Sequence, residues 1–189
     1  AGQSAGIGFP SHEHDLRGAE ITFMPSLTVA GWISLIAASG WALRSTTSDV
    51  SRGSLGWRWW ALVGVTLLCF RWPLLWIPHE LNADEGHFLG AANTLRYDPL
   101  FWRSVDGITS GPLVYYPLLP AAWGNGLHSY AIARLIGLFS VLGTLIFAGE
   151  SLATIGSRSV ARAAILPGLA FEAFTTSSDF LFYSSEEAP

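Results

Sequence analysis

Lysine does not occur in this chain, cysteine and methionine occur once each, and charged residues make up only 13% of its 189 positions. Soluble domains carry about 25% charged residues, so the shortage argues against an ordinary water-soluble fold. All ten basic residues are arginine, and the formal net charge is -4. That balance offers no basic surface for nucleic acid or another polyanion. The lone Cys69 lies inside an apolar run, which excludes a disulfide framework and a cysteine metal cluster. No glycine-rich phosphate loop of the nucleotide-binding kind is identified. What is abundant is apolar: half of the residues are hydrophobic, and nine are tryptophan. The composition predicts an all-α, polytopic integral membrane bundle in contact with lipid.

Crossing a bilayer takes roughly 20 mainly apolar residues. Four segments qualify on reading the sequence: 24–43, 57–77, 131–153 and 160–182. The second is flanked by Trp57, Trp59 and Trp60 at one end and by Trp72 and Trp76 at the other, as expected at a membrane interface. The fourth carries Glu172 within it and Asp179 near its end. "PLVYYPLLPAAW" is apolar but short and broken by prolines, so it is expected at the interface rather than across it. Arg44, Arg52 and Arg58 outweigh Asp49 between the first two spans, and Arg158 and Arg162 follow the third. Positive charge inside puts both segments in the cytoplasm and the acidic loop 78–130 outside. Residues 1–23 form a polar N-terminal segment without the apolar core or cleavage site of a secretory signal. Its His12 and His14 read as part of a solvated terminus. Residues 24–189 form the membrane domain, and a start without Met suggests a piece of a longer protein.

The external loop opens with "LNADEGHFLGAANTLR". Asn82 followed by Glu85 has the form of a capping box, which predicts a helix with Asp84 and Glu85 in its first turn. Two acids there complement the helix dipole, and that role alone would account for them. Helical spacing also puts Asp84 and Phe88 on one face with His87 beside them, at the membrane surface. Arg71 lies near the outer end of its span, where a cation must snorkel outward or find an anion. Asp84, Glu85 and a lipid phosphate are its expected partners. Glu172, Asp179 and Glu186 recur every seven residues and would form an acidic stripe if the last helix continued that far. A carboxylate at the lipid–water boundary suits a general base acting on a polyprenyl-phosphate sugar, with cations on the departing phosphate.

The order of "ADEGHFLGAANTLR", "TSGPLVYYPLLPAAWG" and "HSYAIARLIGLFSVLGTLIFA" resembles the N-terminal part of membrane glycosyltransferases of the GT-C fold, the protein mannosyltransferase and aminoarabinose transferase-like group. The likeness spans 57–189. It implies an enzyme that transfers a sugar from a polyprenyl-phosphate donor to an acceptor hydroxyl on the external face, with inversion. Asp84 takes the place of the catalytic loop aspartate with Glu85 beside it. Glu186 or Glu187 matches the second acidic position, with Asp179 in support. Many members have a basic residue before the Pro-Leu segment, whereas Ser110 and Gly111 stand here. Donor phosphate binding would then rest on Arg71, Arg96, Arg103 or Arg134. The segment 24–43 is an additional span, and the later helices of the family are missing, so an inactive fragment in a bacterial cytoplasmic membrane is expected. The sugar, the acceptor (glycan, lipid or protein) and a divalent metal on the paired carboxylates are left open. The rival expectation is a transporter or channel using Glu172 and Asp179 as intramembrane acids.

Overall fold

The apolar segments fold as helices that start close to where their composition predicts. A computed structural model describes residues 24–44, 53–105 and 110–175. Regular structure among these described residues is helical throughout, without strands. The order is α1 (Met24–Arg44), α2 (Trp57–Leu75), α3 (Ala83–Tyr97), α4 (Phe101–Ser104), α5 (Pro112–Tyr115), a 3₁₀ turn (Tyr116–Leu118), α6 (Leu119–Ala122), α7 (Leu127–Ile155) and α8 (Arg158–Phe174). α1 and α7 are long and apolar enough to cross a membrane; α2 and α8, also expected to span, do not reach that standard. α8 ends at Phe174, and Thr175 is extended at φ -61° and ψ 135°. An unbroken helix from Glu172 to Asp179 is therefore not formed. Thr175 opens a run of two threonines and two serines, residues whose side chains compete for the backbone's hydrogen bonds and favour helix ends. Asp106, Asp179, Glu186 and Glu187 lie outside the described residues.

α1, α2, α7 and α8 pack as a bundle, with α2 touching the other three. The inward face of α2 is a row at every fourth residue: Trp59, Val63, Leu67, Arg71 and Leu75 are all buried. Such a row lies along one side of a helix. Trp59, Val63 and Leu67 meet Leu35, Ala38 and Ala42 of α1, Ala153 of α7, and Ala161 and Leu169 of α8. Four of these six partners are alanine, small enough to pack in one cluster with the fully buried indole of Trp59. Arg71 falls on the same row. Its burial is thus set by helix geometry, and the surrounding fold must satisfy its charge.

A second core belongs to α3–α6, which cap the end of the bundle where α2 stops and α7 begins. Phe88, Ala92 and Leu95 of α3 pack with Phe101, Tyr115, Leu118 and Ala121, and Ala133 of α7 closes this cluster from the bundle side. Prolines at the start of α5, the 3₁₀ turn and α6 restart the chain every few residues. "PLVYYPLLPAAW" consequently folds as three short turns, as its prolines predict, and not as a span.

α7 holds both ends of α2. At the start of α2, Gly56 stands at φ 86° and provides no side-chain cap, and the anchor there is a carboxylate that binds the residues leading into the helix and an indole of its first turn. Glu150 of α7 accepts from Trp60 Nε1 at 2.6 Å, from Leu55 N at 3.2 Å and from Ser54 Oγ at 3.3 Å. A methyl group at Gly149 would lie 2.6 Å from the Trp60 ring, so only glycine lets that indole cross α7 to reach the carboxylate. At the other end of α2, Arg134 donates from Nη1 to Leu74 O at 2.7 Å and to Ile77 O at 2.8 Å. Arg134 and Glu150 are separated by about 24 Å of helix at 1.5 Å per residue. An anion at the N-terminus and a cation at the C-terminus both oppose the dipole of α2, and together they fix its register against the antiparallel α7.

Glu150→Ala is expected to lower the stability of the purified protein by about 1–3 kcal/mol, because the partly buried N–H donors of Trp60 and Leu55 lose a charged acceptor. Thermal unfolding followed by tryptophan fluorescence measures this, and an unchanged midpoint would contradict the assignment.

Candidate functional site

The capping box predicted at Asn82 is half present. Asn82 Oδ1 accepts from Asp84 N at 3.3 Å, and α3 starts at the predicted position. The Glu85 carboxylate, however, does not return to the Asn82 backbone. Its Oε2 accepts from Leu81 N at 2.9 Å, and both of its oxygens face Arg134.

Arg134 enters from the second turn of α7 and uses every N–H it has. Nε donates to Glu85 Oε1 at 2.7 Å, and Nη2 to Glu85 Oε2 at 2.8 Å. Nη1 caps α2 through Leu74 and Ile77, and the second Nη2 proton goes to His79 O at 2.7 Å. The ring of Tyr130 lies beneath the guanidinium, 5.3 Å from centroid to Cζ. The two charged side chains are 2% and 1% exposed. A buried pair recovers its desolvation cost only when its remaining donors and acceptors are also satisfied, and here the backbone carbonyls of 74–79 complete the set. The result is a lock that holds the end of α2, the connection 77–82 and the first turn of α3 to α7. Arg134, expected on the donor phosphate, has no donor left for a ligand. Glu85, expected beside the reacting atoms, serves to position the helix.

Asp84 is one residue away and differs in every respect. Its side chain is exposed, and its backbone is fixed by the Asn82 cap. Glu80 is also exposed, with its carboxylate against the Cα of Gly86, where any side chain would displace it. These acids face the positive end of the α3 dipole. His87 is exposed and touches the edges of Phe88 and Tyr115. Phe88 itself is buried in the cap core. Asp84, His87 and Phe88 are therefore not presented together, because the face that carries Phe88 is occupied by Tyr115 and Phe101.

Arg71 does not pair with Asp84 or Glu85. Its Nη2 donates to Glu172 Oε2 of α8 at 2.8 Å, with the two side chains 10% and 17% exposed. Arg71 points inward rather than snorkelling, since its place on the buried row of α2 faces α8. Arg96 donates from Nη1 to Ala122 O at 3.2 Å and lies over the ring of Tyr97. Arg103 forms a two-bonded pair with Asp98, Nε to Oδ2 at 2.8 Å and Nη2 to Oδ1. Hydrogen bonding to Arg103 holds the Asp98 carboxyl below its ordinary value, and the same contact raises Arg103. Of the four arginines expected on a phosphate, Arg96 and Arg103 stand on the cap surface.

Glu150 belongs to no sequence motif, although a lone acid in a 29-residue apolar helix is itself a signal that a donor must face it. No group of three or more His, Cys, Asp or Glu side chains is arranged to hold a metal ion among the described residues. No protein-family model matches the chain, and neither the curated proteins nor the solved structures give a match.

Because the Asp98 carboxyl is lowered in the fold, its contribution to stability is fully present above the ordinary carboxyl range and is lost as pH falls through the lowered value. Arg103→Gln is expected to return the Asp98 titration midpoint upward, read from its side-chain carboxyl shift by NMR. A midpoint that does not move would refute the pairing in solution.

Proposed function

We propose that this chain is the N-terminal part of a membrane glycosyltransferase that moves a sugar from a polyprenyl-phosphate donor to an acceptor hydroxyl on the external face, with inversion. The observation that carries the reading is the division of labour at the start of α3. Glu85 is consumed by the lock, while Asp84 is exposed on a first turn that the lock holds in place. A general base needs that combination of access and fixed geometry. Asp84 would take the acceptor proton as the hydroxyl oxygen attacks the anomeric carbon. Arg96 and Arg103, on the cap surface, are the cations proposed for the departing phosphate; Arg71, buried against Glu172, is not among them. Asp179, Glu186 and Glu187 remain proposed as supporting acids, and the acceptor is a glycan, lipid or protein.

The proposed setting is a bacterial cytoplasmic membrane crossed by α1, α2, α7 and α8, with the cap outside. Supporting this, only 22% of the most apolar stretch of α1 and 28% of that of α7 is buried within the protein. A core helix of a soluble domain would be mostly covered. Ile33, Ile36, Phe139 and Phe147 stand exposed on these helices, as lipid-facing residues do. The excess of arginine at the opposite end of the bundle from the cap agrees with that orientation. A transporter is the competing reading, favoured by the Arg71–Glu172 pair inside the bundle.

Membranes containing the full-length protein, supplied with labelled polyprenyl-phosphate sugars, discriminate the two. Asp84→Asn is expected to reduce transfer by about 10²–10⁴-fold, the usual contribution of a general base, at an unchanged protein level. Glu172→Gln is expected to retain transfer within a few-fold. Parental transfer by Asp84→Asn would eliminate the assignment, and absence of transfer from any donor would favour the transporter.

A further inference from the structure

Arg71 and Glu172 border a cavity of about 20 Å³ between α2, α7 and α8, enclosed on its apolar side by Leu67, Leu138 and Val141 and reached also by Arg134. About 10–15 Å³ measured in this way is the least that holds a water molecule, which also needs two to four polar partners. Arg134 contributes none, because its donors are all engaged. Arg71 is different. It is 8% exposed, and its one hydrogen bond among the described residues runs from Nη2 to Glu172 Oε2. Nε and Nη1 of Arg71 and Oε1 of Glu172 thus have no bond within the protein among the described residues, and both residues line the cavity.

We infer that this cavity is a binding site for a single structural water that joins Arg71 to Glu172 by accepting from the guanidinium and donating to the carboxylate. An anion is a poor fit, since the two ion pairs around the cavity already balance their charges and Glu172 would repel it. An apolar occupant is excluded by the donors of Arg71, which would cost more unpaired than a water costs to immobilise. The water extends the polar path from Glu172 through Arg71 to the edge of the Arg134 lock, so that the ion pair within the bundle is solvated from inside rather than from the lipid side. This inference is independent of the glycosyltransferase reading.

Two measurements on the full-length protein in lipid nanodiscs test it. A structure at about 2 Å, where waters are visible, is expected to show one density peak within hydrogen-bond distance of both Arg71 and Glu172. Nuclear magnetic resonance is expected to show magnetisation transfer from water to the Arg71 Nε proton but not to the Arg134 Nε proton, which is bonded to Glu85. Arg71→Lys identifies the signal by removing it. A map that resolves other internal waters but leaves this cavity without density would overturn the inference. So would an Arg71 Nε proton that exchanges magnetisation with water no more than that of Arg134.

Discussion

One guanidinium organises the molecule. Arg134 gives two bonds to Glu85 and three to the carbonyls of Leu74, Ile77 and His79. Those carbonyls belong to the end of α2 and to the chain that leaves it, which have lost their helical donors. Bringing them to one cation satisfies what the helix end leaves open. It also gives the buried charge more partners than a carboxylate alone can offer, without which burial of the pair would be costly. Everything beyond the end of α2 then follows. The connection is drawn back across the start of α7, α3 begins where Glu85 can reach the arginine, and the cap core closes over Ala133, one residue before Arg134.

Glu150 performs the complementary task at the far end of the same two helices. Since α7 carries both charges, sliding it against α2 by one turn would break both sets of bonds at once. In the proposed membrane setting the helices would gain little from hydrophobic burial against one another, and association would rest on packing and polar contacts. The alanine-lined contact around Trp59 supplies the first, and the two charged residues of α7 supply the second. Arg71 and Glu172 add a third polar tie, between α2 and α8.

Much of this was legible before the structure. Low charge, the apolar segments and the tryptophan flanks set the helices, the prolines of 112–123 broke that stretch into turns, and Asn82 marked the start of α3. Side-chain partners were less legible. Arg71 and Glu172 are 101 residues apart in sequence, and no local pattern indicates that α8 turns its acid toward α2. Glu85 resembled an N-terminal acid of any helix, and only the geometry of α7 shows that it is withdrawn from the surface while Asp84 is left on it. The end of α8 was open in the sequence, because apolar residues recur past Phe174 while a threonine and serine run intervenes, and the helix ends at that run.

The central claim is that Glu85 and Arg134 act as one unit, and a double-mutant cycle measures that directly. Unfolding of the purified protein would be compared for Glu85→Ala, Arg134→Ala and the double variant. Strong non-additivity is expected, a coupling of about 2–3 kcal/mol, the upper range for residues in one buried network, because the second substitution removes a charge that the first has already stranded. Single effects that add to within about 0.5 kcal/mol would mean that the two residues do not share a lock.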